Sequence, residues 1–272
     1  MSRRAASEPE RRLIFAMGGG GFTMEPTNPL LDDFVLSLAG SIEPRILFLP
    51  TASGDTTAQI NAFHARFGGR MCVAEHLSLF NLRDAREPLE QIVRAQDIVY
   101  VGGGSMRNLL AIWKAHELDR ILFDAWRAGT VLVGLSAGAM CWFEGGTSCS
   151  GGQPEAIAGL GLLPGSLTVH ADGEPERLPV WLASVRDGSL PGGWALDDGI
   201  GLLFCGLQVE RLVSSRPGAG AERVDAVAGE LVRKRLTPEL LGDSEGVGRV
   251  DDAVQELRSV RQLRRGISRR GD

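Results

Sequence analysis

The chain has 272 residues, 43% hydrophobic and 23% charged, with a formal net charge of −5. That composition belongs to a globular protein, and the acidic balance argues against a nucleic-acid binder held by phosphate contacts. No segment approaches the ~20 apolar residues of a membrane span, and the length suits one large α/β domain better than two small ones. Arg3-Arg4 precede only the short run Leu13 to Met17, so residues 1–12 read as a flexible N-terminal segment and not as an export signal. Cys72, Cys141, Cys149 and Cys205 are scattered with no C-x-x-C spacing. Neither a disulfide framework nor a metal site follows from them, and a reducing cytoplasm is the expected location.

Short apolar runs alternate with helical patterns. Leu13 to Met17 reads as a first buried strand and leads into Gly18 to Gly21. Asn28 to Leu38 reads as helix, Arg45 to Pro50 as a second strand, Thr57 to Phe67 as helix and Met71 to Leu79 as a third strand region. Ile98 to Val101 is a fourth strand ending at Gly102-Gly103-Gly104-Ser105; Met106 to Lys114 and Leu118 to Ala128 are helical; Val131 to Val133 is a fifth strand. Continuous apolar strands separated by helices predict a mostly parallel sheet with helices on both faces. Beyond residue 165 the runs Leu202 to Cys205, Gln208 to Val213, Glu222 to Ala228 and Glu230 to Leu236 predict a short antiparallel strand extension, a meander at the sheet edge. Residues 251–265 predict a terminal helix, with Asp251 and Asp252 at its start and Arg264 and Arg265 at its end. The expected organisation is a body over residues 13–241 and a charged helical tail over 242–272.

The fifth strand runs into Gly134-Leu135-Ser136-Ala137-Gly138, a G-x-S-x-G pattern. In a nucleophile elbow the serine sits on a sharp strand-to-helix turn, and the flanking glycines let strand and helix approach. Ligands of open α/β sheets bind at the carboxyl ends of the strands, where Gly18 to Gly21, Gly102 to Gly104 and the Ser136 turn converge. A serine nucleophile needs a base. Of four histidines, His64, His76 and His116 lie in structural or solvated contexts, whereas His170 ends the run Ser166 to His170 and enters a polar glycine turn. Ser136 is therefore the candidate nucleophile and His170 the candidate base. The N–H of Ala137 and that of Gly103 or Gly104 are candidate oxyanion donors. The acid that would orient His170 is left open among Asp172, Glu144, Glu155, Asp197 and Asp198.

Met17-Gly-Gly-Gly-Gly-Phe22, Leu49-Pro-Thr-Ala52, Val101-Gly-Gly-Gly-Ser105, Gly134-Leu-Ser-Ala-Gly-Ala139 and His170-Ala-Asp-Gly-Glu174 together resemble peptidase E, the S51-type serine peptidases, over roughly Leu13 to Leu241. The resemblance implies a class I glutamine amidotransferase-like fold with serine in place of the usual cysteine nucleophile. It implies hydrolysis of dipeptides with an N-terminal aspartate; cyanophycinase is a relative with similar chemistry. Ser136 would be nucleophile, His170 base, and Gly103 or Gly104 with Ala137 the oxyanion donors. The family's acid falls where this chain has Ser148-Cys149-Ser150, so Cys149 stands in place of an aspartate. Glu155 or Glu144 would then substitute, or Asp172 in the manner of the H-x-E acid of glutamine amidotransferases. Relatives carry an aromatic residue where this chain has Ala171. Arg177 would bind the substrate's aspartate side chain, since its fork suits a carboxylate.

The expectation is a cytoplasmic serine peptidase that acts on a small peptide, needs no metal or organic cofactor, engages no nucleic acid or membrane, and leaves a homodimer open. Two rivals remain: an α/β-hydrolase esterase, whose histidine normally comes after the last strand, and a catalytically impaired family member that binds a small ligand or a protein.

Overall fold

Along the first strand Leu13, Phe15 and Met17 pack into one hydrophobic core, while Ile14 and Ala16 pack into another. A strand buried on both faces in this way is why its sequence is an unbroken apolar run. The computed structural model describes residues 11–84 and 87–242. The N-terminal segment before residue 11 and the expected helix over 251–265 lie outside the described residues.

In chain order the elements are β1 (Leu13–Met17), α1 (Gly21–Met24), α2 (Leu30–Ser37), β2 (Arg45–Leu49), α3 (Thr57–Phe67), β3 (Val73–His76), α4 (Leu89–Arg94) and β4 (Ile98–Val101). There follow α5 (Met106–Ala115), α6 (Leu118–Arg127), β5 (Val131–Leu135), α7 (Ala137–Met140), β6 (Phe143–Ser148), β7 (Glu155–Ala158) and β8 (Leu163–Thr168). The last are α8 (Arg177–Asp187), β9 (Gly193–Leu196), β10 (Ile200–Cys205), β11 (Gln208–Ser214), β12 (Ala221–Val227), β13 (Glu230–Leu236) and β14 (Glu239–Leu240).

Eight strands form one sheet in the order β14-β11-β10-β1-β5-β4-β2-β3. Its centre, β1-β5-β4-β2-β3, is parallel, and β10 joins β1 antiparallel. One face carries α1, α2 and α3, whose Phe22, Phe34, Phe63 and Phe67 meet Phe15, Phe48 and Tyr100 of the sheet. The other face carries α4 to α7 together with residues of a second sheet, and Trp113 and Trp142 meet there with centroids 5.7 Å apart. Burying one such side chain is worth roughly 1.5–3 kcal/mol. The fold is thus mixed α/β with helices on both faces of a mostly parallel sheet.

The second sheet runs β13-β12-β9-β8-β6-β7, and α8 covers it through Trp181 and Val185. The four C-terminal runs form strands, but not one meander. The β10–β11 hairpin extends the first sheet, and β12 crosses to pair with β9 of the second, Ala221 opposite Leu196. The third strand region shrinks to Val73–His76. Within β10, Gly201 lies under the Phe15 ring, where an added Cβ would come within 2.1 Å.

Candidate active site

Ser136 joins β5 to α7 with φ 54° and ψ −115°, a left-handed backbone that costs a non-glycine residue on the order of 1–3 kcal/mol. The neighbouring glycines make the turn sterically feasible. A Cβ at Gly134 would lie 2.0 Å from the Gly138 carbonyl oxygen, and one at Gly138 would lie 2.5 Å from that of Val101. The Ser136 N–H donates to the Met17 carbonyl at 3.0 Å, which ties the elbow to β1.

His170 follows β8 in another left-handed conformation, φ 54°, and its carbonyl accepts the N–H groups of Gly173 and Glu174. Its Nε2 lies 2.9 Å from Ser136 Oγ, and its Nδ1 lies 2.5 Å from Asp198 Oδ1. Asp198 sits in the turn between β9 and β10. β8 and β9 are parallel, with Thr168 opposite Ala195, so the residues just beyond both carboxyl ends come side by side. Burial pushes the Asp198 carboxyl up, but the hydrogen bond and charge of His170, with Arg216 and Arg177, hold it below its ordinary value overall. Gly19 closes the floor: a Cβ there would fall 1.9 Å from Asp198 Oδ1 and 2.9 Å from His170 Nδ1.

The other candidate acids take different partners. The left-handed turn at His170 breaks the strand alternation that would have put Asp172 on the histidine's side. Asp172 Oδ1 instead accepts the Asp198 N–H at 2.8 Å, and Oδ2 pairs with Arg216 at 2.7 Å. Arg216 Nε also donates to the Asp198 carbonyl at 2.8 Å, so Asp172 and Arg216 fix the turn that carries Asp198. Glu155 pairs with Arg107 at the exposed rim. Glu144 accepts the Gly165 N–H, and Asp197 accepts that of Gly220. Sequence alone does not single out Asp198 among the candidate acids, because its tie to His170 runs through strand pairing; the strand end followed by Asp197-Asp198-Gly199 is the local signal.

Gly103 faces the serine: a Cβ there would lie 3.2 Å from Ser136 Cβ and 3.7 Å from Oγ. Among the described residues the N–H groups of Gly103, Gly104 and Ala137 have no protein acceptor. Arg177 is buried, 6% exposed. Its Nε and Nη2 donate to Glu174 Oε2 at 2.9 and 2.6 Å, and Nη1 donates to the Thr147 carbonyl at 3.3 Å. The Cys149 thiol donates to the same Glu174 oxygen at 3.5 Å. His64 and His76 bond to each other at 2.9 Å.

Under the first glycine loop Asp32 is fully buried, with Arg66 Nε 3.0 Å from Oδ2. Burial is the larger influence and raises its carboxyl to about 6 against the opposing pull of Arg66. Arg66 Nη2 also donates to the carbonyls of Glu25 and Pro26. Among the described residues no three His, Cys, Asp or Glu side chains converge so as to hold a metal ion, and no helix is long and apolar enough to cross a membrane.

The strand-to-helix serine and its histidine define a hydrolase-like constellation on an α/β fold, and the comparisons name its family. The model of peptidase family S51 matches residues 14–212. The uncharacterized peptidase YgaJ of Bacillus subtilis (strain 168) is 45% identical over 229 residues, covering 84% of this chain and 99% of the relative. The uncharacterized peptidase Lin0382 of Listeria innocua is 31% identical over 115 residues, 41% of this chain and 52% of the relative. The crystal structure of a peptidase from an acI-B1 Actinobacterium has a TM-score of 0.64 at 18% identity, covering 83% of this chain and 94% of that one. That of a putative peptidase E protein from Listeria monocytogenes EGD-e has a TM-score of 0.51 at 17% identity, covering 84% and 100%. The chain belongs to peptidase family S51 and is a peptidase, hence a hydrolase.

Proposed function

We propose that this peptidase is of the serine type and cleaves small peptides, foremost dipeptides with an N-terminal aspartate. The observation that carries the reading is the unbroken line from Ser136 Oγ through His170 to Asp198. His170 accepts the Ser136 proton at Nε2 as Oγ attacks the scissile carbonyl, and later returns it to the leaving amine. Asp198 accepts from Nδ1–H, which holds the ring in the required tautomer and stabilises the imidazolium. The N–H of Ala137 and that of Gly103 or Gly104 receive the oxyanion; one such donor is worth about 3 kcal/mol in the transition state. Asp198 supplies the acid that Cys149 cannot, which favours an active enzyme over an impaired binding module. The scattered cysteine spacing, with no C-x-x-C, supports a reducing cytoplasm as the place of work.

Aspartate selectivity would fall to Arg177, whose guanidinium already carries Glu174. A substrate carboxylate must therefore share or displace that partner. The same pairing favours a second reading, in which the site accepts neutral small peptides. Aspartyl and alanyl p-nitroanilides, compared on the wild type and on Ser136→Ala, test both. Ser136→Ala should lose all measurable hydrolysis and all fluorophosphonate labelling while keeping its fold. Retained activity would sink the serine mechanism, and faster turnover of the alanyl substrate would sink the aspartate preference.

A further inference from the structure

We propose that Gln59, on α3, is a positioning residue that locks the Gly103–Gly104 peptide facing Ser136. This rests on the reading of Ser136 as nucleophile. The loop after β4 is strung between fixed points. The Gly102 N–H donates to the Leu49 carbonyl at 3.1 Å, and the Ser105 N–H to that of Ala52 at 2.7 Å. Between them lies a Gly-Gly pair, the residues with the widest backbone freedom, and Gly104 has φ 142°. Left alone, that peptide plane could rotate.

Gln59 is the side chain that stops it. Its Nε2 donates to the Gly103 carbonyl at 3.3 Å, and only the amide NH₂ can satisfy a carbonyl. In a trans peptide the following N–H points the opposite way, so this bond turns the Gly104 N–H away from α3. Gln59 also walls the preceding residue: a Cβ at Gly102 would meet Gln59 Oε1 at 2.9 Å and the Phe48 ring at 3.0 Å. Oε1 itself is buried without a hydrogen-bond partner among the described residues. The amide thus forgoes half its hydrogen bonding to hold this one carbonyl. With its carbonyl held by Gln59 and the Cα of Gly103 turned toward Ser136, the peptide orientation is set before substrate arrives, which is what an oxyanion donor requires.

Gln59→Met keeps the bulk and removes the donor. Its kcat on aspartyl p-nitroanilide should fall about 10- to 100-fold, with KM changed by less than about threefold. Fluorophosphonate labelling reads the same donors without depending on the peptide. There Ser136 Oγ bonds to phosphorus, fluoride leaves, the serine proton passes to His170, and the phosphoryl oxygen takes the oxyanion position. The labelling rate should fall by a similar factor, while the melting temperature and the apparent pKa of the pH–rate profile stay at wild-type values.

Gln59→Glu adds a second readout that also serves if the Met variant fails to fold. The ionised carboxylate repels the Gly103 carbonyl, whereas its protonated form donates to it. The variant's activity relative to wild type should therefore rise as pH falls toward the carboxyl range near ~4.3. Wild-type kcat and labelling in Gln59→Met, or a flat ratio in Gln59→Glu, would overturn the proposal. Activity surviving in Ser136→Ala would instead overturn the underlying mechanism.

Discussion

His170 Nδ1 and Asp198 Oδ1 lie 2.5 Å apart, on the side of the imidazole facing away from Ser136. Removing that acceptor's charge should leave the ring in the wrong tautomer. Asp198→Asn is expected to lower kcat by about 10³–10⁴-fold with the fold retained. Asp172→Asn, which only loosens the turn, should cost about tenfold or less. Equal losses in the two variants would assign the histidine's acid elsewhere. Because the Asp198 carboxyl is held below its ordinary value, its contribution to stability is present above the unfolded pKa and is lost as pH falls through the folded one. The wild type should lose its stability advantage over Asp198→Asn only on strong acidification, which thermal melts across an acid series would measure.

Gly19 forms the floor beneath the pair. An alanine there would put its Cβ 1.9 Å from Asp198 Oδ1, so the carboxylate must move off His170. Gly19→Ala should lose at least 100-fold in kcat, on the order expected for displaced catalytic groups, with a stability cost of roughly 1–3 kcal/mol from overpacking. Steady-state kinetics beside a denaturant titration would separate the two; full activity would show that the floor yields.

Glu174 occupies the guanidinium of Arg177. Glu174→Gln removes the competing charge but keeps the shape. If Arg177 binds an acidic side chain, KM for aspartyl p-nitroanilide should fall about 3- to 10-fold, as one charge-assisted contact would allow, while KM for the alanyl substrate stays the same. A parallel shift in both substrates would remove Arg177 from selectivity.

Asp32 should make stability depend on pH in mild acid. Its folded pKa, about 6, lies well above the ordinary aspartate value, so the folded state holds the proton more tightly. The resulting stabilisation is full below pH ~4 and is lost as pH rises through ~6; at about 1.4 kcal/mol per unit it amounts to roughly 3 kcal/mol. Melting curves of the wild type against Asp32→Asn should diverge between these pH values and run parallel above pH ~7. Parallel behaviour throughout would mean that Arg66 keeps Asp32 ionised.

The central sheet was legible in the sequence because its strands are unbroken apolar runs between helices, as Ile98–Val101 and Val131–Leu135 show. Of the second sheet only β12 and β13 were legible, as the runs Glu222 to Ala228 and Glu230 to Leu236. β6 reads FEGGTS and β8 reads LPGSLT, strands whose glycines, proline and hydroxyls match no periodicity and are buried by tertiary packing alone. Helix α8, starting after a polar turn with little amphipathic contrast, was hidden in the same way. In the site, the local pattern marked Ser136 and His170 as candidates. Asp198 stands 28 residues beyond His170 in the chain, and only the parallel pairing of β8 with β9 brings it within reach.

The candidate groups are divided between the two sheets. Ser136 and Gly103 ride on the large sheet, His170 rides on the small one, and the Asp197–Gly199 turn is the strap that runs from one to the other. A slip of about one ångström along this seam would part Ser136 Oγ from His170 Nε2, now 2.9 Å away, without unfolding either sheet. On the proposed mechanism, turnover would therefore be a strain gauge for how firmly the two layers grip each other.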